Sequence, residues 1–524
     1  MISFRVPSFG PGSRRDRPGL AGEPGEPGEP REPFPGAGGD AHARVWLAAW
    51  AALIAAAFGM GALLRRAGAL PVDPLPPLHA HARLLIGPLV PAAVAAVAAV
   101  VLLPVAARRL PWWSLLGAAW LGSAVWAVLL QLPDGIGRPL TAPTEYLGGL
   151  PAMGDDPLGW LRGFTRHLQE YPTHVKGHPP LPMLILWTTQ WTGLKGAGWA
   201  AALVIAAGSS GAAAITVTVR AVTDERTARR AVPFLVLAPT AIWVATSMDA
   251  LFLGVAAWGV AWLAVGASHL GPLPPGGSIP LQSSRPVDDR GKRIHNLWIT
   301  LSSVGAGHVS PGGLPRPVAV ISTFASGLLL GSLPYLSYGL LSIFALPLAV
   351  LILTRPSRPV VLALVTGCLV APVAFALGGF SWWDGMTATH AAWAAGEGSR
   401  RPYAYFFAGD LAALALLIGP AAAQALPSVL RRAVALVRVP PTRLEQGEGH
   451  PHIGRLGVLG AAALLGVLAL DLSGVTRGEV ERIWLPYAAW MTAAAAAHRA
   501  PARALLVAQA VTALLLQALV RSPW

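Results

Sequence analysis

Apolar runs of about 18 to 24 residues recur along almost the whole chain, the length a helix needs to cross roughly 30 Å of hydrocarbon. Of 524 residues, 54% are hydrophobic and only 12% charged, with a mean hydropathy of +0.54, too apolar for a soluble protein of this length. Spans are expected near 45–63, 84–106, 112–132, 197–219, 232–248, 250–268, 317–334, 336–354, 358–379, 404–426, 455–473, 484–498 and 502–519. Lipid offers no partner for an unpaired backbone group, so each must be a helix. The expected fold is all-α and polytopic, with about 13 crossings.

The net charge of +14 and pI near 11.0 come from arginines in short loops between the spans. That is the positive-inside pattern rather than a nucleic-acid surface. The single cysteine, Cys368, lies within an expected span, which excludes a disulfide framework and a thiolate metal site. The high Ala, Gly and Arg content points to a bacterial genome rich in GC. Residues 1–43 are Pro/Gly-rich, with the run Gly22-Glu-Pro-Gly-Glu-Pro-Gly-Glu-Pro30, too short for a collagen-like helix. They read as a disordered cytoplasmic tail, and the Pro/Gly/Ser-rich stretch 270–316 reads as a disordered inner loop.

Arg14, Arg15, Arg17 and Arg31 set the N-terminus in the cytoplasm of a plasma-membrane protein. The basic loops at Arg108-Arg109, Arg220–Arg230, Arg290–Arg293, Arg355/Arg358, Arg431-Arg432 and Arg499/Arg503 all stay inside on one condition. Residues 181–194, about 14 residues and short for a span, must be re-entrant or lie at the surface rather than cross. Segments 133–180, 380–403 and 474–483 and the Thr246-Ser-Met-Asp249 corner then share the outer face.

The outer segments carry the chemistry. Tyr171-Pro-Thr-His-Val-Lys-Gly-His-Pro-Pro180 gathers His174, Lys176 and His178 where a polar loop meets an apolar run. Charge is costly there unless an anion binds. Thr144-Glu145-Tyr146 opens the same loop. Glu145 is either a general base for a hydroxyl or simply solvated. Asp156-Pro157 reads as a helix cap, with Asp155 left as a second candidate acid. Leu161, Phe164, Leu168 and Tyr171 recur at helical spacing, as in an amphipathic helix on the membrane surface. Asp249 caps a helix or lines a cavity. Trp382-Trp383-Asp384 and Tyr403 form either an interfacial belt or a sugar-binding surface. Arg477 and Arg482, two outer arginines against the positive-inside trend, suit a phosphate, with loop-stabilising Glu–Arg pairs as the plain alternative. The His174/His178 spacing runs through Gly177 into prolines, so no metal site is expected. The remaining histidines, His79 among them, read as structural or incidental. No phosphate-binding P-loop, dinucleotide-binding glycine string, HExxH or serine elbow is present.

In order, these pieces resemble the GT-C superfamily of polyprenyl-phosphate-dependent membrane glycosyltransferases, in the branch of protein O-mannosyltransferases and aminoarabinose transferases. The resemblance rests on Glu145-Tyr146, Lys176-Gly-His-Pro-Pro-Leu181, Arg220–Arg230, Ala238-Pro239 to Asp249, and Gly478-Glu-Val-Glu-Arg-Ile-Trp-Leu-Pro486. It implies a transferase domain over 44–524 that moves a sugar from a lipid-phosphate donor to an acceptor glycan, lipid or protein on the outer face. Glu145 or Asp155 would be the base, and Lys176, His178, Arg477 and Arg482 would hold the donor phosphate. Tyr146, His174, Asp249, Asp384 and Tyr403 would contact substrate. No cofactor, metal or nucleic-acid partner is implied. The chain departs from the family in having Thr144 beside Glu145, where two adjacent acidic residues are common. The other reading is a transporter or flippase that binds a lipid-linked or anionic substrate without chemistry.

Overall fold

The computed structural model describes residues 38–70, 72–268, 316–438, 451–498 and 502–523. The chain divides into two units, Met1–His42 and Ala43–Trp524. The tail 1–43 and the insertion 270–316 lie outside the described residues except at their C-terminal edges, where helices begin at Gly38 and Arg316.

The second unit is a bundle of helices: α1 (Ala43–Arg66), α2 (Val90–Arg109), α3 (Trp112–Gln131), α4 (Pro157–Gly163), α5 (Thr173–Lys176), α6 (Leu181–Trp191), α7 (Ala197–Val222), α8 (Glu225–Val236), α9 (Ala241–Val244), α10 (Asp249–Ser268), α11 (Arg316–Leu336), α12 (Ala345–Thr354), α13 (Arg358–Leu377), α14 (Trp382–Ala395), α15 (Glu397–Arg400), α16 (Tyr403–Arg438), α17 (Pro451–Ser473), α18 (Val480–Ile483), α19 (Leu485–Thr492) and α20 (Arg503–Leu519). Two short strands, β1 (His81–Ala82) and β2 (Val520–Arg521), pair antiparallel. Among the described residues nine helices are long and apolar enough to cross a membrane. Their outer faces are apolar too: Leu362, Leu369, Val373 and Leu377 of α13 all point outward, Leu377 being 82% exposed. Apolar surface of that extent is stable against hydrocarbon, not water. The chain is an all-α polytopic membrane protein.

Four expected spans are not long unbroken helices. The 336–354 stretch is a 3-10 turn, Tyr338–Phe344, leading into α12, and 502–519 holds the 17-residue α20. The 484–498 stretch is α19 followed by the 3-10 turn Ala493–Ala497. The 232–248 stretch is interrupted between α8 and α9, where Pro239 lacks an N–H and pushes Ala238 away from helical geometry. The premise that every such run must be a continuous helix holds only against lipid. Residues 231–250 are buried in protein, and turn bonds from Ala241 N to Ala238 O and Ile242 N to Pro239 O satisfy the break.

α6, with 11 residues, is only about 16 Å long. Gly137 has no room for a side chain against the Ala197 backbone, so α7 starts at the end of the bundle where α3 finishes. α7 then runs 26 residues, roughly 39 Å, to the opposite end. There Arg220 pairs with Glu225 at 2.7 Å, and Arg229 donates to the carbonyls of Ala107 and Leu110 at the end of α2.

The expected surface helix is shorter and turned inward. Asp156 caps α4, accepting from Gly159 N at 2.8 Å, but regular helix stops at Gly163. Leu161, Phe164, Leu168 and Tyr171 are buried. Phe164 stacks on Tyr171 at 5.4 Å and meets Phe380 edge-on at 5.7 Å. The apolar stripe therefore packs on protein, where aromatic pairing adds to burial, and not on lipid.

Candidate active site

Loops that are remote in sequence meet at the end of the bundle where α3 finishes and α7 and α10 begin. Pro172 starts α5, and the His174 backbone N–H donates to Thr144 O at 2.9 Å, which ties this short helix to the residue before Glu145. The His174 Nδ1 atom then lies 2.8 Å from Glu145 Oε1, and Nε2 lies 3.3 Å from an Arg482 terminal nitrogen. Guanidinium only donates, so Nε2 is the accepting nitrogen and Nδ1 carries the proton facing the carboxylate. Arg482 also donates to Asp249 Oδ2 at 3.0 Å and to Glu479 Oε2 at 2.9 Å. Glu145, His174, Asp249 and Arg482 are all buried.

The network continues through Glu479, whose other oxygen is 3.2 Å from Arg401. Arg401 grips Asp73 through two bonds of 3.0 and 2.8 Å, a planar fork that lysine does not offer. His79 Nδ1 sits 3.0 Å from both Asp73 and Arg401, and the His79 backbone N–H donates to Glu481 at 3.1 Å. Burial alone would raise the Glu479 carboxyl, but Arg482 and Arg401 outweigh it and hold it at about 2. Burial likewise opposes charge on Arg482, yet Asp249, Glu479 and Glu145 raise its pKa. Glu481 shows the other outcome: burial lifts its carboxyl to about 7.

The arrangement holds a strained turn in place. Glu479 has φ of 61°, left-handed for a residue with a side chain, directly after Gly478 at 77°. Such a conformation costs on the order of 1–3 kcal/mol and persists only where its surroundings impose it. Here the turn aims the Glu479 carboxylate between two arginines while Gly478 N–H donates to both oxygens of buried Asp410 at 3.2 Å.

Of the residues singled out from sequence, Glu145, Tyr146, His174, His178, Asp249 and Arg482 come together. Tyr146 is buried with its ring 6.1 Å from His174 and 5.7 Å from His178. His178 Nδ1 donates to His174 O at 2.9 Å, and burial pushes its pKa down to about 4. It is therefore a neutral hydrogen-bonding ring at pH 7 rather than one of the expected cations. Lys176 rides on α5 between them, half-buried, and its side chain makes no ion pair among the described residues; its carbonyl accepts from Thr389 at 3.0 Å. Arg477 and Tyr403 adjoin the network. The Arg477 guanidinium stacks over Tyr403 at 5.6 Å and donates to the carbonyls of Gly474, Ser399 and Arg401, so it knots two loops. Asp155 and Asp384 are exposed and do not join.

Sequence reasoning missed Asp73 altogether and read His79 as structural or incidental, without its partners. Their signal was slight: an Asp-Pro pair and a histidine in the short link between α1 and α2. Arg401, Glu479 and Glu481 were visible only as members of polar loops. Among the described residues no group of three or more His, Cys, Asp and Glu side chains is set to hold a metal ion. No protein-family model matches the chain, and no curated protein or solved structure does either.

Proposed function

We propose that the protein is a membrane glycosyltransferase that moves a sugar from a polyprenyl-phosphate donor to an acceptor hydroxyl on the outer face, with the N-terminus cytoplasmic. The observation that carries the reading is the buried Glu145–His174 contact with Lys176 on the same short helix. In the step, the acceptor oxygen forms a bond to the anomeric carbon and the anomeric carbon–phosphate oxygen bond breaks. The acceptor proton passes to Glu145, oriented by His174, and the lipid phosphate leaves as an anion. The ammonium of Lys176 supports the phosphate charge as it develops. Arg482, already bonded to Asp249 and Glu479, positions His174 and Glu479 rather than meeting the phosphate alone. The gathering of arginines at the far end of α7 supports this sidedness.

A second reading, a transporter of a lipid-linked or anionic substrate, draws on Asp410 and Asp471, two fully buried carboxyls within long apolar helices. Ionisable groups buried among apolar helices are costly and serve ion pathways in many transporters. Purified protein given a labelled polyprenyl-phosphate sugar separates the two. Transfer or release of sugar is expected. Glu145→Gln should cut turnover by about 10²–10⁴-fold with donor affinity nearly unchanged, and Asp155→Asn should be silent. Tight binding without turnover in the wild type would favour transport, and loss of turnover only in Asp155→Asn would move the base there.

A further inference from the structure

A cavity of about 370 Å³ lies beside the candidate site, between the link after α3, the Trp243–Thr246 segment and the C-terminal residues 516–523. Its charge is one-sided. Three arginines, Arg83, Arg138 and Arg521, line it with one carboxylate, Asp134. Asp134 is already neutralised: Arg83 bonds both of its oxygens, and Gln517 Nε2 donates to it at 2.8 Å. The Arg138 and Arg521 side chains are exposed and make no ion pair or hydrogen bond among the described residues.

Two further donors belong to residues that line the same space. Trp243, 1% exposed and lining the cavity, has its Nε1 buried with no hydrogen-bond partner among the described residues, as does the Oγ of Ser522. A buried N–H or O–H without an acceptor costs about 1–3 kcal/mol, so an acceptor-rich occupant would relieve both. Two guanidiniums, an indole N–H and a hydroxyl around one space outnumber the acceptors of a carboxylate. They match a phosphate group, whose several oxygens take charge-assisted bonds from arginine.

We propose that this cavity binds a phosphate-bearing ligand, with Arg138 and Arg521 on the phosphate oxygens and Trp243 Nε1 and Ser522 Oγ as supporting donors. Ile242, Leu516 and Val520 give it an apolar wall, so the phosphate belongs either to a lipid headgroup or to a small soluble ester. The inference stands apart from the transfer reading, because it is read as binding with no turnover.

The test uses the full chain in nanodiscs of zwitterionic lipid, with radiolabelled glycerol 3-phosphate and dioctanoyl phosphatidic acid as the probes. Saturable binding of at least one is expected, and the probe that binds names the source. The Arg138→Ala/Arg521→Ala variant should weaken it by about tenfold or more, as expected for the loss of charge-assisted bonds. Trp243→Phe, which keeps the ring and removes the N–H, should weaken it by a few-fold, roughly the worth of one neutral bond. Arg162→Ala/Arg166→Ala removes equal charge elsewhere and should leave affinity unchanged. The assignment is overturned if wild type binds neither probe saturably, if the cavity variant binds as wild type does, or if both double variants lose affinity equally.

Discussion

Glu479 and Glu481 are two residues apart and respond to burial in opposite ways, because only one of them faces arginines. Glu479, held at about 2 against an ordinary 4.5, adds stability that is complete above pH 4.5 and is lost as pH falls through 2. Glu481, lifted from 4.5 to about 7, keeps a proton in the fold that the unfolded chain releases. Stability therefore falls as pH rises from 4.5 through 7. Glu481→Gln should match wild type near pH 4 and exceed it at pH 8 by on the order of 3 kcal/mol. Thermal midpoints in one detergent across pH 4–8 would check this, and a gap independent of pH would show that Glu481 is not titrating. Burial decides the case of Glu145 as well. Sequence position left it as base or solvated side chain; it is buried beside His174 rather than solvated, and its role as base belongs to the proposal above.

At the scale of elements, one close seam joins α11 to α13. A side-chain carbon at Gly327 would strike the Leu364 carbonyl, one at Gly331 the Cys368 carbonyl, and one at Gly367 the Phe324 carbonyl. Without a hydrophobic drive between helices in lipid, close backbone approach through small residues supplies the packing. Gly367→Leu should therefore lower stability by at least ~1–3 kcal/mol, read as a fall in thermal midpoint and in folded yield. Gly59→Leu, on α1 with nothing nearby, should leave both unchanged. The glycines at 327 and 331 could be read as a four-residue spacing in the sequence; that Gly367 faces them could not.

For the whole molecule, the telling arrangement is polarity along the bundle. The Glu145–Arg482 network occupies one end, and Arg220, Glu225 and Arg229 occupy the other. In a Cys368→Ser background, single cysteines at Arg226 and Trp383, both exposed, should be modified from opposite sides of a sealed membrane. Modification of Arg226→Cys from the outside would reverse the proposed orientation.

The sequence by itself determined the class of fold and the location of most membrane helices, because hydrocarbon imposes one length and one backbone geometry on any exposed span. It also marked the polar loops, since charge beside apolar runs stands out. Tertiary structure alone decided which charges meet. Asp73 and Arg401 are 328 positions apart and His174 and Arg482 308 apart, and nothing local encodes such pairings. Tertiary structure likewise decided where a span could break. Between α8 and α9 the neighbours are protein rather than lipid, and a turn satisfies the backbone where the apolar run predicted a continuous helix.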